Sequence, residues 1–265
     1  MKANTFTSKD VLKFLQGLDD GSVDLLCTDP PYNLEVADWD TFESQQAFVD
    51  FTKAWLDAAL PKLKPTGSLF VFNTPFNSAF ILAHLVERGL CYQNWITWYK
   101  KDGFAPTKKR FANNQETCLY FTKDPKRFTF NADAVRIPYA STSRIEAART
   151  KGILKSDGTR WFPNEKGKLC PDVWEIVSER HKNKINGRVV KSPHPTPKPI
   201  EMIERIVLAA SDPGQLVVDP FSGTGTVAVA CVKHGRQFIC NDRKPAYNAI
   251  GKGRVAALRS DAEAG

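Results

Sequence analysis

The chain has 265 residues, 42% of them hydrophobic, which is enough to bury one enzyme-sized core. Its six cysteines form no CxxC pair, its N-terminus lacks the apolar core of a signal peptide, and no run approaches the roughly 20 apolar residues of a membrane span. These features exclude a disulfide framework and a zinc module, and the expected location is cytoplasmic with no membrane partner. The net charge of +8 is unevenly spread: Lys100 to Lys198 holds 22 Lys and Arg against 10 Asp and Glu, whereas the remainder is net acidic. That pattern fits a face that meets a polyanion, or a solvated basic surface.

Thr5 to Thr7 reads as a short strand, followed by a turn of helix carrying Val11, Leu12 and Leu15. Val23-Asp24-Leu25-Leu26-Cys27 is a buried strand that delivers Asp29-Pro30-Pro31-Tyr32 at its C-terminal end, where ligand sites of α/β sheets gather. An exocyclic amine on a flat heterocycle is a poor nucleophile because its lone pair is delocalised into the ring. A carboxylate and a backbone carbonyl that accept its two N–H groups favour the tetrahedral nitrogen needed for attack. Asp29 and the Pro30 carbonyl suit those roles, Pro30 and Pro31 stiffen the turn, and Tyr32 offers a stacking face for an extruded base. The alternative for this tetrapeptide alone is a proline turn capped by Asp29.

Residues 34–41 lack a steady period and are expected to form a mobile loop over the site. Phe48, Phe51, Trp55, Leu56 and Ala59 mark one helical face, Ser68 to Phe72 a buried strand, and Ala79 to Arg88 a helix closed by Gly89. Tyr92 to Trp98 and Thr117 to Phe121 read as strands around a loop, 100–111. That loop carries Lys101, Lys108, Lys109 and Arg110, suited to phosphate contacts or to simple solvation. From 124 to 190 the periodicity is poor beyond a helix at Ser143 to Thr150, and aromatic residues alternate with basic ones, including Arg144, Arg160, Arg180 and Lys182. This stretch is assigned to target recognition, giving a core of 1–122 plus 191–265 and a recognition region of 123–190.

Ile200 to Ala210 is a helix entered through Pro199. Leu216 to Asp219 is a β-branched strand that runs into Pro220-Phe221-Ser222-Gly223-Thr224-Gly225-Thr226 and an apolar helix. In this turn Gly223 and Gly225 permit positive φ and close approach to a ligand, although a GTG sequence can also be only a turn. The following strand, Gln237 to Cys240, ends at Asn241-Asp242, where an acid can bind ribose hydroxyls. A last helix spans Pro245 to Leu258, followed by a frayed tail. No GxGxxG or GxxxxGK[ST] is present, which counts against dinucleotide and nucleoside-triphosphate binding.

Asp29 to Tyr32, followed about 190 residues later by Asp219 to Thr226, resembles the β class of S-adenosylmethionine-dependent DNA amino-methyltransferases, in which the catalytic motif precedes the cofactor motif. His194-Pro195-Thr196-Pro197-Lys198-Pro199 resembles that family's third signature, with Pro197 in place of its usual glutamine. The resemblance covers nearly the whole chain and is strongest to the MboII-type subgroup of adenine methyltransferases. It implies a doubly wound, mostly parallel α/β sheet with an antiparallel edge strand and an inserted recognition region. It also implies S-adenosylmethionine as cofactor. Asp29, Asp219, Pro220, Phe221, Gly223, Thr224, Gly225 and Thr226 would line the cofactor, with Asp242 on its ribose and Asp10 at its adenine. His194, Thr196 and Lys198 would stand near it, Thr196 or Lys198 facing its carboxylate.

The expected reaction is direct methyl transfer to adenine N6 in double-stranded DNA, at an asymmetric GAAGA-like site. Adenine is favoured because the family more often pairs an acidic head with adenine and a serine head with cytosine N4. The alternatives are cytosine N4, RNA or a protein glutamine amide as substrate, and a DNA-binding relative without catalysis. The implied partners are DNA and a cognate restriction endonuclease acting on the same site without stable association, and the working unit is a monomer or a homodimer.

Overall fold

A computed structural model describes residues 1–104, 108–178, 184–185, 188–189 and 197–264. Its centre is an eight-stranded sheet built from β1 (Thr5–Thr7), β2 (Val23–Thr28), β3 (Leu63–Asn73), β4 (Cys91–Phe104), β5 (Asn113–Thr122), β8 (Val173–Glu175), β11 (Leu216–Asp219) and β12 (Gln237–Asn241). The spatial order is β1-β12-β11-β2-β3-β5-β4-β8. Only β5 runs against its neighbours β3 and β4, so the sheet is mostly parallel.

Side-chain alternation explains why both faces are covered. Phe70 and Phe72 of β3, Cys118 and Tyr120 of β5, Val217 of β11, and Phe238 and Cys240 of β12 pack on one face. They meet residues such as Ile203, Ile206 and Val207 of α5 (Ile200–Ala210), Val227 to Cys231 of α6 (Thr226–Lys233) and Val255 of α7 (Pro245–Ala264). Leu69, Val71, Leu119, Phe121, Val218 and Ile239 point the other way. There they meet Phe14 and Leu15 of α1 (Val11–Gln16), Trp55 and Leu56 of α2 (Gln45–Ala59), and Ile81 and Leu85 of α3 (Pro75–Glu87). This is the doubly wound arrangement. From β11 the chain winds through α6 outward to β12, and from β2 it winds through α2 the opposite way to β3. Strands β2 and β11 lie side by side, Leu25 opposite Val217 and Leu26 opposite Val218, so the winding reverses between them and a crevice opens beyond their C-terminal ends.

Several boundaries differ from the sequence reading for identifiable reasons. Helix α3 starts at Pro75, four residues earlier than expected, because Thr74 accepts the Asn77 N–H as N-cap and Pro75 fills the first turn. Its C-terminal Gly89 has φ +80°, as a C′ residue requires. The expected basic loop 100–111 is the upper part of a long hairpin, since β4 continues to Phe104 and pairs there with Asn113. The described residues of the stretch 123–190 hold α4 (Thr142–Lys151), the small pair β6 (Ile153–Leu154) and β7 (Arg160–Trp161), and the pair β9 (Lys184–Ile185) and β10 (Arg188–Val189). It also supplies β8, which joins the main sheet parallel to β4, so β5 stands two places in from the edge. Helix α7 extends to Ala264, past the expected frayed tail, because alanines and the absence of a breaker before Gly265 let it propagate. Among the described residues no helix is long and apolar enough to cross a membrane.

Gly225 shows how tightly the end of the crevice is built. Its φ is +78°, and a Cβ placed on it would lie 2.9 Å from the Phe6 ring and 3.0 Å from Cα of Gly251. Gly21 shares the positive φ, at +63°, but nothing lies near its Cβ position. Gly225→Ala is therefore expected to cost about 2–4 kcal/mol and Gly21→Ala only about 1 kcal/mol, as read by urea unfolding. Equal losses would place the cost in backbone conformation alone.

Candidate active site

The two sequence motifs meet at the C-terminal ends of β2 and β11. Thr28 Oγ1 donates to Asp219 Oδ1 at 2.9 Å across 191 residues of sequence, and the Phe221 N–H donates to the same oxygen at 3.1 Å. Beyond them opens a cleft of about 680 Å³. Its walls include Asp29 to Tyr32 on one side and Asp219 to Thr224 with Thr226 on the other, joined by Asp10, Phe72, Glu116, Lys198 and Asp242. Gly225 packs against Phe6 and Gly251, which leave no room for a side chain there.

At the β2 end, the turn is fixed from several sides. Asn73 Nδ2 donates to the Pro31 carbonyl at 3.3 Å, and Asn77 Nδ2 donates to the Tyr32 carbonyl at 2.7 Å and to Asn73 Oδ1 at 2.9 Å. Asp40, only 1% exposed, accepts the N–H groups of Tyr32, Asn33 and Leu34 at 2.5, 2.9 and 2.9 Å. The segment read as a mobile loop is thus held by one buried carboxylate that gathers successive backbone donors, with Asn33 and Glu35 at φ +57° and +55°.

Asp29 is half-buried. Its Oδ2 pairs with Lys198 Nζ at 2.7 Å, whereas its Oδ1 is buried with no hydrogen-bond partner. Burial pushes this carboxyl above its usual range; Lys198 opposes the rise and Glu116 adds to it. Lys198 is itself buried, 3.2 Å from Glu116 Oε2, with its ammonium 5.0 Å from the Tyr32 ring centroid and 5.6 Å from that of Phe72. Burial works against the ammonium, but Asp29 and Glu116 hold it above the ordinary lysine range. Lys198, expected to face a cofactor carboxylate, here pairs with the carboxylates of Asp29 and Glu116.

At the β11 end, Gly223 has φ +49°, and its N–H donates to Asp242 Oδ2 at 3.0 Å; Asp242 Oδ1 accepts the Lys244 N–H at 2.8 Å. Burial raises the Asp242 carboxyl, and these two backbone donors counter it. Asp10 caps α1, its Oδ1 accepting the Leu12 N–H at 3.0 Å. Arg254 Nη1 donates to the Thr224 carbonyl at 2.8 Å and bonds Thr226 Oγ1 at 3.3 Å. Asn241 ties β1, β12 and the turn together: its Oδ1 accepts from Thr7 Oγ1 at 2.7 Å and its Nδ2 donates to the Pro220 carbonyl at 3.2 Å. Asp10 and Asp242, with the protonated Asp219 carboxyl behind them, suit a ligand carrying amino groups and ribose hydroxyls, and the turn at Gly223 has the positive φ that a side chain would strain.

The basic residues are more dispersed. Lys108, Lys109 and Arg110 are exposed near the tip of the β4–β5 hairpin, and Lys101 falls within β4. Arg144 is exposed on α4; Arg160, on β7, donates to the Lys151 carbonyl and so braces its own hairpin. His194, Thr196, Arg180 and Lys182 lie outside the described residues. Sequence reasoning missed Asp40, Asn73, Asn77, Glu116, Asn241 and Arg254. Glu116 carried the clearest signal, a lone acid at the head of an apolar strand; Asp40 carried none, because its partners are backbone groups.

Residues 23–252 match the family model N6_N4_Mtase, described as DNA methylase. The type II methyltransferase M1.MboII of Moraxella bovis is 50% identical over 247 residues, covering 93% of this chain and 94% of that protein. M.HpaI of Haemophilus parainfluenzae, also a type II methyltransferase, is 32% identical over 250 residues, covering 93% and 72%. In fold the chain is similar to the cytosine-N4-specific PvuII DNA methyltransferase, with TM-score 0.68 and 20% identity over 96% of this chain and 86% of that one. It is also similar to M1.HpyAVI in its SAM complex, with TM-score 0.62 and 22% identity over 94% and 98%.

Asp219 gives a pH test of the cleft. It is 4% exposed, and burial lifts its carboxyl to about 8 against the ordinary 3.8, with Thr28 and Phe221 opposing. The folded state therefore holds a proton that an unfolded aspartate releases. This favours folding fully below about pH 4 and is lost as pH rises through about 8. Asp219→Asn, which cannot ionise, is expected to gain stability over the parent between pH 4 and 8, on the order of 6 kcal/mol across the range, and to level off above. Urea unfolding across that range, without ligand, measures it; a pH-independent difference would contradict the assignment.

Proposed function

That match across most of the chain makes it a member of the DNA methylase family, and from this premise we propose that it methylates adenine N6 in double-stranded DNA, as the modification component of a type II restriction–modification system. Its methyl donor is S-adenosylmethionine, which when bound supplies an electrophilic methyl group on a sulfonium. Asp10, Asp219, Asp242 and the Gly223 turn would hold it. The observation that carries the reading is Asp29 Oδ1, a buried acceptor without a donor, beside an aromatic face in the same cleft.

An extruded adenine would stack on Tyr32 and donate one N6–H to Asp29 Oδ1 and the other to the Pro30 carbonyl. Both bonds draw the nitrogen toward the tetrahedral form in which its lone pair can attack. Asp29 acts as an anion, and the nearby Lys198 ammonium favours that form against burial. The nitrogen's extra proton leaves after attack, so Asp29 need not be a strong base. The recognition stretch 123–190 and the hairpin tip with Lys108, Lys109 and Arg110 would face the duplex. The acidic head supports adenine over cytosine. The 50% identity to M1.MboII supports a type II modification enzyme; the resemblance of the sequence to the MboII-type subgroup carries the asymmetric GAAGA-like site and the separate endonuclease sharing it, with a monomer or a homodimer as the working unit.

Single-molecule sequencing of plasmid DNA from cells expressing the protein is expected to show N6-methyladenine in one asymmetric context; N4-methylcytosine would replace the adenine assignment. Asp29→Ala is expected to lower methyl transfer by at least about 10³-fold while DNA affinity stays within about tenfold, roughly 1.4 kcal/mol. Equal turnover by that variant would reject the role given to Asp29.

A further inference from the structure

Glu116 belongs to neither sequence motif, yet it touches the parts of the site that have to be still when a base arrives. It lies on β5 opposite Trp98 of β4, and by alternation it shares the face of Cys118 and Tyr120. Its Oε1 pairs with Lys100 Nζ at 2.7 Å, and its Oε2 accepts from the Tyr32 hydroxyl at 3.3 Å and from Lys198 Nζ at 3.2 Å. Its side chain is 18% exposed, and although burial works to raise its carboxyl, Lys198 and Lys100 outweigh it and keep it low.

Four ionisable groups, Asp29, Glu116, Lys198 and Lys100, are thus gathered on one side of the cleft. A buried cluster of this kind is poor value as a stability device, because desolvation offsets most of the attraction. What it does provide is geometry. Lysine has a flexible four-carbon stem, and one carboxylate alone would leave Lys198 free to swing. Two carboxylates, with the Tyr32 and Phe72 rings as walls, fix where its ammonium sits. The hydroxyl bond to Glu116 likewise fixes the tilt of the Tyr32 ring.

Resting on the base-pocket reading above, we propose that Glu116 is a positioning residue for methyl transfer. It fastens the Tyr32 ring and the Lys198 ammonium into one unit, so that Asp29 meets the target amine with Oδ2 engaged and Oδ1 open. Ring and cation are then ordered before the nucleotide enters, and the ordering cost does not fall on the transition state.

The test is a double-mutant cycle with radiolabelled methyl transfer under saturating S-adenosylmethionine. Glu116→Met, similar in length but without an acceptor, is expected to lower kcat about 30-fold, with Glu116→Gln, which keeps an acceptor, falling between it and the parent. The KM for S-adenosylmethionine is expected to stay within about twofold, because the contacts of Glu116 lie away from the Gly223 turn. Tyr32→Phe should cost activity in the parent and cost measurably less in the Glu116→Met background, where Asp29 alone is left to engage the hydroxyl. Turnover of both Glu116 variants within about threefold of the parent, or losses that multiply fully in the cycle, would overturn the proposal. If Glu116→Met fails to fold, Glu116→Ala, which also removes the acceptor, takes its place in the cycle with Tyr32→Phe. A parent protein that methylates no DNA would instead overturn the base-pocket reading itself.

Discussion

The site depends on the adjacency of β2 and β11, closed at its open end by the hydrogen bond from Thr28 to Asp219. These strands are neighbours in space although the chain between them winds through four other strands of the sheet. Because the winding reverses at this pair, no crossover helix can fill the space beyond their ends, and a crevice is the unavoidable result. The Asp29–Tyr32 turn hangs from one lip and the glycine turn from the other. Distance along the chain is thereby converted into contact, and a donor at one turn can meet an acceptor at the other.

Electrostatics in this crevice are arranged around carboxylates that water does not solvate. Asp219 retains its proton up to about pH 8, whereas Asp29 is given a cation. The difference follows from their neighbours: Asp219 has only the hydroxyl of Thr28 and a backbone N–H against burial, but Asp29 faces the Lys198 ammonium. The same logic holds the surrounding backbone. Asp40 collects the N–H groups of residues 32 to 34, while Asn73 and Asn77 donate to the carbonyls of Pro31 and Tyr32. A turn clasped on its donor and acceptor sides has little freedom left, which is what a positioned nucleophile's partner requires.

Much of this was legible in the sequence where the signal is local. Short apolar runs leading to acids marked β2 and β11, and Gly89 marked the end of α3. The order of the two motifs pointed to the family. Less was legible where pairing continues after the apolar pattern stops. Residues 99–104 and 113–116 are polar and glycine-bearing, so they read as a loop although their backbones still form a ladder. Strand β8 is three residues long and sits in a stretch with no period, which conceals its place in the main sheet. That Gly225 also leaves room for Phe6 and Gly251 depends on packing across the fold, which the local motif does not encode. Asp40 and Glu116 act through long-range contacts that no spacing rule encodes.

The most direct measurement is a crystal structure of the protein with S-adenosylhomocysteine and a duplex carrying its methylated sequence. The account expects one base turned out of the helix, its ring against Tyr32, its amine hydrogen-bonded to Asp29 Oδ1, and the cofactor across the cleft at Gly223. A target base that remains stacked in the duplex, or an amine seated away from Asp29 with that oxygen still unpaired, would contradict it.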